Sequence, residues 1–304
     1  MSEHIVHTAV LEDCLHLVTN SEEINEEFRE ICKAFGDFAQ LGSVTVSGDM
    51  FSTQLLKEFK PRWQGRAPEE MLEAKLLFVF GWISHRAADR QMKPVWNLGH
   101  IRELEKSIGL RPTDCSVYHE AFILKQYYFS DPVFKGSVLI DEAVESSGLP
   151  SIDLDVAMRF IHTLVKRSLI EMHTFKPDYD NVEVWLEKLF TRQQKFYVDV
   201  ERYARAVVFP DPEKYKTYIT DIHFYDENDP ILAVLKKLRN SELVSSQEIS
   251  SALVAYNGSH YAQAVVRGYN YIKASIEYLT TEMDFAEVEE KLDIGKTGPE
   301  GLIV

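Results

Sequence analysis

Apolar residues recur every three to four positions along most of the chain and alternating runs are few, so the pattern predicts helices rather than strands. A first predicted helix spans residues 3 to 19, with His7, Leu11, Cys14, Leu15 and Val18 on one stripe, and a second spans about 22 to 36 and stops near Gly36. The stretch GDFAQLGSVTVSGDMF interrupts this period with glycines and small residues, which predicts a tight backbone turn before Asp49. Ala67-Pro68-Glu69-Glu70 then marks a helix start, because proline suits the first helical position and acids in the first turn suit the backbone dipole. Leu72, Leu76, Val79, Phe80 and Ile83 predict the buried face of a helix over 68 to 92 that Pro94 limits. Its apolar run LLFVFGWI falls far short of the roughly 20 residues needed to cross a bilayer, so the helix belongs to a core.

Further helices are predicted near 97 to 108, ending at Gly109, and after the cap Thr113-Asp114, where Tyr118, His119, Phe122 and Ile123 follow. Asp131-Pro132 and Gly148-Leu149-Pro150 mark turns, and amphipathic segments lie at about 152 to 172, 181 to 207, 230 to 239, 246 to 256 and 259 to 285. No fixed-period repeat and no long linker interrupts them. The expectation is an all-α, multi-helix bundle: one helical domain over 1–304, with helices from 150–290 completing it and a frayed tail from about 293.

A chain of 304 residues that is 45% hydrophobic is long enough to bury a sizeable core. Its net charge of −15 opposes non-specific attraction to nucleic acid or anionic lipid, so any phosphate chemistry needs a local cation or a metal ion. Cys14, Cys32 and Cys115 are scattered and lack a CxxC spacing, and the start MSEHIVHTAVLED lacks a basic region followed by an apolar block. Reduced thiols and a cytoplasmic protein are therefore expected, with no transmembrane segment.

The segment GWISHRAADRQMKPVW carries the candidate chemistry, because Gly81, His85 and Asp89 stand four apart on one helical face. A neutral imidazole and a carboxylate are both zinc ligands, and the glycine leaves room beside them for an ion. The same pair also suits a structural hydrogen bond in a core. Three more candidate ligands occur in the first 120 residues: His7 on its apolar stripe, Asp49 after Ser47-Gly48, and His119. Each has an ordinary structural role open to it, but a metal centre in a bundle draws its ligands from several helices. Cys115 and His119 could also pair on a metal, while Arg86 and Arg90 fall on a face turned from His85, where solvation is expected. There is no HExxH, no Glu-x-x-His pair and no adjacent His-Asp, which disfavours a zincin, a di-iron bundle and that class of phosphohydrolase. His162, His173, His223 and His260 have no evident acidic partner at ligand spacing.

The order of these residues resembles the zinc-dependent phospholipase C family, which shares its helical fold with single-strand-specific fungal nucleases. The matching features are an early His7, the segment LGSVTVSGD ending in Asp49, and the Gly-x-x-x-His-x-x-x-Asp helix GWISHRAAD, together covering about residues 4 to 125. The resemblance implies one to three zinc ions, with His7, His85, Asp89, Asp49 and His119 as ligands and Asp49 as general base. It implies hydrolysis of a phosphoester or phosphodiester, on a small-molecule or lipid substrate. The chain departs from the pattern in four places. Lys93-Pro94 replaces a His-Pro, no histidine lies between Asp49 and His85, Ile123 rather than Glu is four beyond His119, and no Trp precedes Trp63. These departures leave a second expectation open, a non-catalytic helical binding or scaffold protein with a degenerate metal site.

Overall fold

A computed structural model describes residues 4–45, 49–96, 114–128, 180–254 and 258–295. Among the described residues every regular element is helical, so the all-α class is observed. No helix among them is long and apolar enough to cross a membrane. The chain packs as two compact units, one formed by residues 1–5 and 105–221 and the other by 6–104 and 222–304. The helices expected near 97 to 108 and 152 to 172, and the turns between, lie outside the described residues, as do His162 and His173.

The larger unit is organised around one helix. It contains α1 (His4–Asn20), α2 (Glu26–Ala34), α3 (Gly36–Ser43), α4 (Asp49–Trp63) and α5 (Leu72–Trp96). Helix α5 packs against α2, α3 and α4 and against a long helix from the C-terminal part, His260–Thr280. The predicted stripe is its buried face: Leu72, Leu76, Val79, Phe80 and Ile83 are all inaccessible to solvent or nearly so. Each such side chain contributes about 1.5–3 kcal/mol by leaving water. Pro68 begins a short 3₁₀ turn instead of α5, and Met71, left-handed at φ 49°, separates that turn from the helix. At the other end α5 continues through Pro94 to Trp96.

The turn expected over residues 36 to 48 is largely a helix, α3, and its glycine has a packing role. A Cβ at Gly42 would lie 2.1 Å from the carbonyl oxygen of Phe78, and one at Gly81 would lie 1.9 Å from that of Ala39. The two helices thus cross with backbone against backbone, which only residues without a side chain allow. Small-residue content read locally as a loop signal is here a close-approach signal.

In the smaller unit, α6 (Asp114–Ile123) packs on α7 (Val182–Val208) and on the turns that follow α8 (Pro212–Tyr215). Asp114 receives Arg202 and Lys214, each at 2.5 Å, and the Asp211 amide donates to the Tyr118 hydroxyl. The larger unit is completed by α9 (Pro230–Arg239), α10 (Ser246–Val254), α11 (His260–Thr280) and α12 (Phe285–Lys291). The segment expected as one helix over 259 to 285 is two, because α11 ends at Thr280 and Asp284 caps α12 by accepting from the Glu287 amide. Helix α1 is held to α11 by the Cys14 thiol on the Val265 carbonyl and by Tyr261 on Asp13, and Tyr269 holds Ser21, the residue that follows α1.

Candidate metal centre

Three of the candidate ligands come together from two helices. His7 projects from α1, and His85 and Asp89 project from α5 one turn apart; all are buried. His7 Nε2 lies 3.4 Å from Asp89 Oδ1, and His85 Nε2 lies 3.4 Å from Asp89 Oδ2. The two imidazole rings stack with centroids 4.0 Å apart. One potential donor atom from each of the three residues lies within 4.8 Å of the others.

The α3–α5 crossing determines which nitrogen of His85 faces the cluster. Because Gly42 and Gly81 let the helices touch, the Ser43 carbonyl reaches His85 Nδ1 at 2.7 Å. A carbonyl only accepts, so Nδ1 donates to it and Nε2 is the ring nitrogen that faces Asp89. A carbonyl behind the imidazole is also what orients a metal-binding histidine. Gly81 therefore serves the helix crossing, whereas the sequence reading gave it the role of leaving space for an ion. Ser43 is a positioning residue that carried no sequence signal, since it acts through its backbone.

Nε2 of each histidine faces one oxygen of Asp89, an arrangement that a shared cation can bridge. An N···O separation of 3.4 Å is long for a hydrogen bond, yet it matches the edge of a tetrahedron with metal–ligand bonds of about 2.0–2.1 Å. The buried Nδ1 of His7 and Oδ1 of Asp89 make no hydrogen bond. Burial, and next the neighbouring His85, lower His7 to about 4, so its imidazole is neutral at physiological pH. For Asp89 burial opposes ionisation, but His85 and His7 outweigh it and hold the carboxyl well below the usual carboxylate range. The donor set of two imidazoles and a carboxylate fits one divalent ion.

A cation of the chain already touches this carboxylate. Lys93, one turn beyond Asp89 on α5, places Nζ 2.7 Å from Oδ2. It occupies the sequence position where the resemblance expects a histidine ligand.

Asp49 begins α4, and its side chain lies outside the described residues. His119 belongs to the smaller unit, where Nε2 donates to the Tyr218 carbonyl at 2.9 Å with the Cys115 sulfur 3.5 Å away. Arg86 and Arg90 are buried rather than solvated: Arg86 donates to the carbonyls of Leu292 and Asp293 at 3.3 and 2.6 Å, and Arg90 to that of Asp293. His223 does have acidic neighbours, Asp226 and Asp229, within ligand distance. Both carboxylates serve local structure there, Asp226 accepting from the Asn228 amide and Asp229 from the amide and hydroxyl of Ser259.

Comparison with known proteins adds no relative: no family model matches the chain, and no curated protein or solved structure is significantly similar to it.

Proposed function

We propose that His7, His85 and Asp89 hold one divalent metal ion, most simply zinc, and that the protein is a metal-dependent hydrolase of phosphoester or phosphodiester bonds. The observation that carries this reading is the pair of 3.4 Å separations between the two Nε2 atoms and the two oxygens of Asp89. When bound, such an ion polarises a phosphoryl oxygen and lowers the pKa of a bound water. The chain's own residues supply the rest. His7 and His85 present lone pairs from buried, stacked rings, and the Ser43 carbonyl keeps His85 in the ligating tautomer. Asp89 supplies the negative charge, and Asp49 is assigned as general base on the sequence resemblance alone. With a net charge of −15, the protein depends on local cations such as Lys93 to accept a phosphate group.

The test is hydrolysis of bis(p-nitrophenyl) phosphate by chelator-treated protein as zinc is added back. Activity that rises with zinc and is absent from a folded Asp89→Asn variant supports the proposal. Zinc binding without hydrolysis of this diester or of p-nitrophenyl phosphate would remove the enzymatic part.

The 2.7 Å contact of Lys93 with Asp89 favours a second reading, in which the cluster is a self-neutralised element of a non-catalytic binding or scaffold protein. Under that reading zinc neither binds nor raises the melting temperature.

A further inference from the structure

Lys93 and Asp89 differ sharply in their exposure to water. Asp89 is fixed in the buried interface between α1 and α5, whereas the Lys93 side chain is 35% exposed. A lysine stem at that position can carry its ammonium toward water along the helix surface. The oxygen it contacts, Oδ2, is also the one 3.4 Å from His85 Nε2. An ammonium and a divalent ion seated between these two atoms would therefore draw on the same lone pairs and repel each other.

We propose that Lys93 is a resident ammonium that exchanges with the divalent ion at Asp89, and that once displaced it binds a phosphate-type oxyanion beside that ion. The inference rests on the metal-site reading above. Without metal, the ammonium compensates a buried carboxylate that would otherwise be costly, so the cluster stays assembled while empty. With metal, the ammonium is released yet remains tethered one helical turn away, where an oxyanion bridging it and the ion removes their repulsion. Because coupling between two ligands is reciprocal, phosphate must then tighten metal binding as much as metal tightens phosphate binding.

The test is calorimetric titration of cobalt(II) into the chelator-treated full chain, wild type and Lys93→Gln, with and without inorganic phosphate. Removing the competing charge is expected to tighten cobalt binding by about tenfold or more, the scale of a unit charge close to an ion at an effective dielectric of about 20. Phosphate is expected to strengthen cobalt binding in the wild type and to leave Lys93→Gln unchanged. Equal cobalt affinities, or an equal phosphate effect in both proteins, would overturn the exchange while leaving the metal site in place. Binding to neither protein would overturn the metal site and the exchange together. Should Lys93→Gln fail to fold, lysine acetylation read by mass spectrometry on the wild type decides. Labelling of Lys93 that rises on cobalt addition supports the exchange, and labelling that does not change overturns it.

Discussion

Gly81 of α5 meets Ala39 of α3 so closely that a Cβ on the glycine would stand 1.9 Å from the Ala39 carbonyl oxygen. No rotamer relieves such a contact, since both partners are backbone, so Gly81→Ala must push the helices apart. The expected cost is about 1–3 kcal/mol, in the range of overpacked cores, measured by urea denaturation. The displacement also withdraws the Ser43 carbonyl from His85 Nδ1. Variant protein that remains folded should therefore bind zinc more weakly than wild type.

Burial lowers His7 to about 4 from an ordinary 6.5, with His85 adding to the effect. The unfolded chain thus binds a proton that the folded chain refuses between these values. Stability from the neutral ring is complete above pH 6.5, falls as pH drops through that window, and is lost in full below about 4, by about 3 kcal/mol in the absence of metal. Denaturation midpoints of chelator-treated protein at several pH values check this. A folded His7→Phe variant should lack that part of the slope.

Arg86 and Asp293 join α5 to the segment that follows α12. The guanidinium holds the carbonyls of Leu292 and Asp293, while the Asp293 carboxylate accepts from the Tyr271 hydroxyl at 2.7 Å. Arg86→Ala removes its donors from both carbonyls, with Arg90 still donating to that of Asp293, at an expected cost of about 1–3 kcal/mol. Hydrogen exchange should localise the effect, with faster exchange in α12 and little change in α3.

Asp13 is wholly buried and accepts both prongs of the Arg239 guanidinium, at 2.9 and 2.8 Å, with the Tyr261 hydroxyl as a third donor. Truncating Arg239 to Ala takes the compensating charge away from that buried carboxylate. A loss of about 3–5 kcal/mol is expected, larger than for any exposed ion pair such as Lys33–Glu30. Chemical denaturation of the two alanine variants, Arg239→Ala and Lys33→Ala, compares them directly.

The parts legible in the sequence were those set by local period. The buried stripe of α5 from Leu72 to Ile83, and the placing of His85 and Asp89 on one face, follow from helical geometry alone. Adding His7 to them took a resemblance in residue order, because nothing local says that α1 lies beside α5. Gly42 carries the local signal of a loop because its close approach is a tertiary contact with Phe78, which no window around residue 42 contains. Arg86 carries the local signal of a solvated residue for the same reason: the carbonyl that covers it is 206 residues away. Lys93 was visible as a cation in place of an expected ligand, but its ion pair with Asp89 required the side-chain geometry.

The central claim is that one ion belongs among His7, His85 and Asp89, and metal stoichiometry tests it most directly. Chelator-treated wild type, incubated with zinc and desalted, is expected to retain about one equivalent by mass spectrometry, the complement of a single mononuclear site. Folded His85→Ala and Asp89→Asn variants are expected to retain none. Wild type that retains no zinc, or variants that retain as much as wild type, would contradict the account.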